Sequence, residues 1–180
     1  NLRTKCYYKG KYKLRCKVMN TILEDFLELK EILNSFNGLE KEYNWLLTDL
    51  DWSYPDNYLD YFMDYRIYDD SSHCRNNYLI TGENLNKLAN MKEVYFIWGV
   101  FSAIEKNEIV DLDTIQDEPY ADGNPNFWVE NPVIQHPLAV AELVLWDSSL
   151  VLLLSKGNDL SSNFRNTFKG WKGLKSYNQS

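Results

Sequence analysis

Residues 94–101, with the sequence VYFIWGVF, are apolar or aromatic at every position except for one glycine. A strand with one face in solvent alternates apolar and polar side chains, whereas this run is apolar at odd and even positions alike. The run therefore predicts a central strand of a sheet, buried on both faces.

Further strands are predicted where short apolar runs are bounded by turn residues. They lie at 43–48, at 78–80, and in a hairpin formed by 141–146 and 150–155. The hairpin is indicated by the turn residues Asp147, Ser148 and Ser149 between its two runs. Residues 49–56 are predicted as a turn, and residues 58–68 as a strand or a short helix.

Helices are predicted from capping residues and from apolar spacing. The first, at 21–36, begins with the capping box Thr21-x-x-Glu24 and has Phe26 among its inward residues. The second, at 82–90, is capped by Thr81. The last follows Asn158 or Ser161 and ends at Gly170. Residues 105–131 are polar and acidic, which predicts a long surface excursion with a strand at 109–115.

This order of elements predicts an α+β fold. The expected form is a single domain at 19–180, in which a mainly antiparallel sheet is flanked by helices and followed by a C-terminal β-hairpin and helix. Residues 1–18 form a basic extension. It is interpreted either as an added edge strand or as a segment that is not native, with Met19 as the natural start.

Composition excludes several classes of protein. The chain of 180 residues is 44% hydrophobic and 15% aromatic, which excludes wholesale disorder and a disulfide-stapled miniprotein. No apolar stretch approaches the roughly 20 residues of a membrane helix. The three cysteines include no C-x-x-C, which favours a reducing cytoplasm, although Cys6 and Cys16 can pair if residues 1–18 fold back. No cofactor is expected.

The formal net charge of −7 is unevenly distributed. Residues 1–18 hold seven basic groups and no acidic one, whereas residues 19–180 hold 12 basic and 26 acidic groups, a net charge of −14. An acidic body repels phosphate, so neither nucleic acid nor an anionic membrane is an expected partner. A basic protein is the expected partner.

No catalytic or metal-binding motif is present. The two histidines, His73 and His136, lie in no activating pattern, and the sequence lacks G-x-S-x-G, Walker, G-x-G-x-x-G and H-E-x-x-H motifs. Asp111-x-Asp113 resembles part of a calcium loop, but Ile115 breaks the required spacing. A solvated acidic loop without metal is therefore expected.

The segment 42–70 combines aspartates with tyrosines and tryptophans. Carboxylates steer a cationic partner, and Tyr and Trp are the side chains that anchor protein interfaces. Interface residues are therefore predicted in this segment and in the acidic loop near 120: Asp49, Asp51, Trp52, Tyr54, Asp56, Asp60, Asp64, Asp69, Asp70, Asp117, Glu118 and Asp122. The competing interpretation is a core of aromatics beneath an ordinary acidic surface.

Three stretches resemble small bacterial immunity proteins in layout: ITGENL at 80–85, YFIWGVFSA at 95–103 and AELVLWDSSLVL at 141–152. These are the acidic α+β partners of polymorphic or contact-dependent growth-inhibition toxins, and the resemblance covers about 78–170. It implies a cytoplasmic antidote that binds one toxin domain, often a nuclease, and blocks its active site. Contact residues vary within such families, so the resemblance assigns none here.

The preferred hypothesis is thus a non-enzymatic inhibitor whose acidic, aromatic surface covers the basic cleft of a cognate toxin domain. Two alternatives stay open. One is a small hydrolase that uses carboxylates with His136 or His73, and the other is a binding module without a toxin partner. The aromatic content also allows a homodimer.

Overall fold

The computed structural model describes residues 18–68, 75–115 and 118–179. Within these residues, seven strands form one sheet: β1 (Met19–Leu23), β2 (Tyr43–Ser53), β3 (Asp64–Arg66), β4 (Asn77–Thr81), β5 (Tyr95–Glu105), β6 (Ala139–Trp146) and β7 (Leu150–Ser155). Four helices accompany it: α1 (Leu29–Ser35), α2 (Gly82–Ala89), α3 (Asp159–Thr167) and α4 (Leu174–Tyr177). Every pairing is antiparallel, which confirms the predicted α+β fold.

The strand order is β1-β7-β6-β5-β2-β4-β3, with β5 in the centre. The apolar run at 94–101 therefore supplies the middle strand, as predicted. Phe101 packs into the core on one face and Val100 into the core on the other, and both are fully buried. A strand covered on both faces needs apolar side chains at successive positions.

The two faces of the sheet have different covers. On one face, which we call the helix face, α1, α2 and α3 contribute Leu33, Leu85 and Phe164 to a single core cluster. On the other face, which we call the loop face, the cover is α4 together with the described parts of the segment 106–138. The predicted surface excursion is therefore a structural layer.

Apolar side chains hold this loop cover in place. Leu112, Ala121 and Phe127 are each at most 2% exposed and pack on the loop face. The predicted strand at 109–115 is wrong, since the structure has a 3₁₀ helix at Leu112–Thr114 instead. Asp111 favours that turn because its side chain accepts a hydrogen bond from the backbone N–H of Asp113.

The predicted helix at 21–36 is wrong in its first half. Thr21 is buried within β1, opposite Leu153 of β7, and the helix begins only at Leu29. The working capping box is formed by Glu28 and Glu31. Pairing with the apolar strand β7 overrides the local helix signal.

The strand β2 continues through the predicted turn at 49–56 as far as Ser53. The pairing of β2 with β5 is irregular at two places in this part of the sheet. One is an extra residue in β2 after Thr48, and the other is an extra residue in β5 at Ile97. Asp49 adopts a positive φ of 53° at the first irregularity. Aspartate tolerates this conformation better than most residues.

The remaining local predictions are largely confirmed. The side chain of Thr81 accepts a hydrogen bond from Asn84 N–H at 3.1 Å and caps α2, and the hairpin β6–β7 forms as expected. The helix α3 follows Asn158. Residues 58–68 contain both proposed elements, a 3₁₀ helix at Tyr58–Tyr61 and the strand β3. Of the basic extension 1–18, all but Val18 lies outside the described residues.

None of the helices in the described ranges has the length and apolar character required to cross a bilayer.

Candidate protein-binding surface

One end of the sheet gathers residues from four separate segments. β2 ends there at Ser53, opposite Tyr95 at the start of β5. The Tyr95 hydroxyl lies 3.1 Å from the Ser148 hydroxyl in the β6–β7 turn, and the Tyr95 ring lies 5.6 Å from the ring of Phe26, which precedes α1. We call this region, with the neighbouring Tyr54 and the carboxylates described below, the sheet-end surface.

Three aromatic side chains of this surface are accessible. Phe26 is 42% exposed, Tyr54 is 48% exposed and Tyr95 is 41% exposed. Phe26 was expected to face inward from a helix, but it precedes α1 and lies against Tyr95. Exposed aromatic rings held in fixed positions are typical of protein interfaces.

A cluster of rings around Trp52 supports this surface from below. Trp52 stacks on Phe96 with centroids 5.0 Å apart and planes 3° from parallel, and it contacts Tyr54 at 4.8 Å. The ring centroid of Tyr58 lies 4.1 Å from that of Tyr54, and the Tyr58 ring packs against Trp52 in an edge-to-face arrangement. Burial raises the pKa of Tyr58 and, further inside, that of Tyr78, so both phenols stay neutral.

Three predicted carboxylates lie close to these rings in sequence. Asp51, Asp56 and Asp60 are exposed, and none of them forms an ion pair with a residue that the structure describes. Asp51 lies near the end of β2, and Asp56 and Asp60 lie in the segment that carries Tyr58. These negative charges are therefore available to a cationic partner.

Asp49, by contrast, is engaged within the chain. Its side chain is only 12% exposed and pairs with Arg75 at 3.0 Å. Its Oδ2 atom also accepts hydrogen bonds from the backbone N–H groups of Ala121 and Asp122, at 2.6 and 3.0 Å. Asp49 thus ties the loop cover to the sheet. Asp122 itself is exposed.

Asp64 and Glu118 also have partners within the chain. The Arg66 guanidinium lies 3.1 Å from Asp64 and 2.6 Å from Asp113, which raises the pKa of Arg66 and lowers that of Asp113. Glu118 accepts a hydrogen bond of 2.6 Å from the Asn77 side chain. The predicted interface residues Asp69, Asp70 and Asp117 lie outside the described residues.

A buried carboxylate on the loop face was missed by sequence reasoning. Glu142 is fully buried in β6 and accepts hydrogen bonds from the backbone N–H groups of Gln135 and His136, at 2.9 and 2.8 Å. The Ser102 hydroxyl donates to it at 3.4 Å. Burial raises the pKa of Glu142 to about 7 in spite of these donors. The only signal in the sequence was one acidic residue inside an apolar strand.

The geometry at His136 is that of a structural turn. The residue reaches Glu142 through its backbone N–H, while its Nδ1 atom accepts a hydrogen bond from the N–H of Leu138 at 3.3 Å. Burial lowers the pKa of the imidazole, so the ring is neutral near pH 7. His73, the other histidine, lies outside the described residues.

Within the described part of the chain, no group of three or more His, Cys, Asp or Glu side chains is arranged to hold a metal ion. Comparisons with protein-family models, curated proteins and solved structures find no match.

The predicted interface residues that the structure describes fall into four groups. Asp51, Tyr54, Asp56 and Asp60 are accessible at or next to the sheet end, and Asp122 is exposed in the loop cover. Trp52 supports the sheet-end residues from below, and Asp49, Asp64 and Glu118 are held by intramolecular partners. Phe26 and Tyr95 were not predicted as interface residues, because only the tertiary fold brings them together.

Proposed function

We propose that this protein is an immunity protein: a cytoplasmic, non-enzymatic inhibitor that binds a cognate bacterial toxin domain and covers its basic active-site cleft. The observation that carries the proposal is the sheet-end surface, where exposed aromatic rings stand beside carboxylates without ion-pair partners in the described chain. Such a surface suits a basic protein better than a phosphate-bearing ligand. A nuclease domain, whose cleft is cationic because it binds phosphate, is the partner class that fits best.

The two kinds of side chain have separate tasks in this proposal. Asp51, Asp56 and Asp60 raise the rate of encounter with a basic cleft, and this effect weakens with added salt. Phe26, Tyr54 and Tyr95 then supply apolar contact at low entropic cost, because the Trp52 cluster and the Ser148 hydroxyl already fix their positions.

Co-expression with the product of the adjacent gene tests the proposal directly. We expect that product to be a basic protein that arrests growth when expressed alone, and to form a stable complex with this chain that restores growth. An adjacent product that neither binds nor arrests growth would refute the proposal.

The assigned surface needs a separate test with matched charges. The variant Asp51→Asn/Asp56→Asn/Asp60→Asn should lower the association rate constant about tenfold at low salt. Its control removes three exposed carboxylates at the other end of the sheet, Glu42→Gln/Glu105→Gln/Glu108→Gln, where β2 begins and β5 ends. Equal effects of the two variants would show that net charge matters and that this surface does not.

A further inference from the structure

The strand β3 is an edge of the sheet. In the described chain it pairs only with β4, so its outer side faces no other strand. The opposite edge is covered, because Ile22 of β1 exchanges two backbone hydrogen bonds, of 2.9 and 2.8 Å, with Lys172. An open strand edge is a template for a further strand.

The residues around β3 form a sequence that is complementary in charge to its own reverse. Met63, Asp64, Tyr65, Arg66 and Ile67 are apolar, acidic, aromatic, basic and apolar. An antiparallel partner strand of the same sequence, centred on Tyr65, therefore places each Asp64 opposite an Arg66 and each Met63 opposite an Ile67. Opposite charges and apolar pairs at facing positions both stabilise antiparallel strands.

We propose that β3 binds β3 of a second copy of this chain, antiparallel and around a two-fold axis at Tyr65. The pairing joins two seven-stranded sheets into one continuous sheet. It is self-complementary, as a two-fold interface requires. The proposal is independent of any toxin partner.

The faces of β3 fit this arrangement. Asp64 and Arg66 lie on the loop side, where Arg66 reaches Asp113. On the helix side, Tyr65 is 42% exposed, and Met63 and Ile67, which flank β3, are 55% and 48% exposed. Pairing covers these apolar side chains and brings the charged side chains of the two copies together on the loop side.

The hydrogen bonds of Tyr65 make the pairing reversible. Its N–H donates to Asp64 Oδ1 and its carbonyl accepts from Arg66 Nη1, both at 2.9 Å. In a single copy the flanking side chains thus satisfy these backbone groups. Pairing replaces the four such bonds of two copies by two bonds between copies, so hydrogen bonding at Tyr65 does not favour the dimer and the facing charged and apolar side chains must stabilise it. The dimer therefore forms only with rising concentration.

Sedimentation velocity of the full chain, at concentrations up to about 1 mM, tests the proposal. We expect a monomer–dimer equilibrium in the native protein. Arg66→Glu alone, or Asp64→Arg alone, places like charges opposite each other and should raise the dimer dissociation constant about tenfold or more. The double variant Asp64→Arg/Arg66→Glu restores opposite charges at every facing position and should dimerise again.

A mixture of the two single variants gives the sharpest readout. One strand is then wholly acidic and the other wholly basic at these positions, so a heterodimer should form from chains that do not form homodimers. Arg66→Glu also breaks the ion pair between Arg66 and Asp113. The control Asp113→Asn breaks the same ion pair but leaves β3 unchanged, so it should dimerise like the native chain. A native chain that stays monomeric, or single variants that dimerise as tightly as the native chain, would overturn the proposal.

Discussion

The Oδ2 atom of Asp49 lies 2.6 Å from the backbone nitrogen of Ala121, a residue 72 positions further along the chain. The bond joins an irregular point in β2 to the segment that covers the loop face. Asp49 therefore has a structural role within the chain, and its predicted place in an interface stays a prediction.

The first prediction concerns this bond. Asp49→Ala should lower the free energy of unfolding by about 2–3 kcal/mol, because it leaves the buried N–H of Ala121 without an acceptor and Arg75 without its partner. Asp49→Asn should lower the free energy of unfolding less, since the amide oxygen can still accept the hydrogen bond from the N–H of Ala121. Urea denaturation measures both. Asp122→Ala, at the exposed neighbouring carboxylate, is the control and should be nearly neutral; a cost equal to that of Asp49→Ala would contradict the assignment.

The second prediction concerns Glu142, whose folded-state pKa is about 7. The unfolded chain releases this proton near pH 4.3, so between pH 4.3 and 7 the folded state holds a proton that the unfolded state has lost. The stabilisation from Glu142 is therefore complete at low pH and disappears as the pH rises, an effect of about 3–4 kcal/mol.

Glu142→Gln removes this titration. The free energy of unfolding of the variant, minus that of the native protein, should increase with pH between 4.5 and 7.5. Taking the difference cancels the neighbouring His136, whose lowered pKa acts in the opposite direction by destabilising the fold as the pH falls. Urea denaturation across this range measures the difference; a difference that stays constant with pH would disprove the role of Glu142.

The third prediction concerns the close approach at the start of α2. A Cβ atom on Gly82 would lie 2.0 Å from the carbonyl oxygen of Glu40, which also accepts the indole N–H of Trp45 at 2.9 Å. Gly82→Ala should therefore lower the free energy of unfolding by about 3 kcal/mol, because the backbone at Gly82 or at Glu40 must move. Gly157→Ala is the matched control, because in the described part of the chain no atom beyond its own chain neighbours lies within 4 Å of the added Cβ. Equal thermal stability of the two variants would refute the clash.

The fourth prediction depends on the proposed function. Tyr54→Ala and Tyr95→Ala should each weaken toxin binding by about 2 kcal/mol and change the free energy of unfolding by less than about 1 kcal/mol, since both rings are more than 40% exposed. Ile109→Ala is the control, because Ile109 is 88% exposed but lies outside the sheet-end surface. Calorimetric titration with the toxin domain measures the affinities; unchanged affinity in both tyrosine variants would remove the rings from the interface.

Elements whose signals are local were predictable from the sequence. Thr81 caps α2 through its own side chain, and the hairpin β6–β7 follows from two apolar runs and the turn between them. The central strand was predictable because burial on both faces leaves a run without alternation. These signals depend on residues close together in the chain.

Elements whose signals compete were not predictable. The capping box at Thr21 is a valid local signal, but pairing of β1 with β7 buries Thr21 and Ile22 and outweighs it. The candidate surface was predicted in part for a similar reason. Tyr54 and the aspartates are neighbours in sequence, whereas Phe26 and Tyr95 join them only through the fold.

The two irregular positions in β2 and β5 act as a matched pair. Each strand has one extra residue, so beyond both irregularities the two strands pair in their earlier register. Even-numbered side chains of both strands face the loop cover before the irregularities and the helices after them. Trp52 and Phe96 are paired beyond both irregularities, and both rings face the helices and stack. Each irregularity holds one residue without a partner in the facing strand, so deleting that residue closes the irregularity and leaves the pairs beyond it on their present sides. Deleting Leu50 and Ile97 together would therefore give two evenly paired strands in which both rings still face the helices. The aromatic support of the sheet end thus depends on the pairing of these two rings and on neither extra residue.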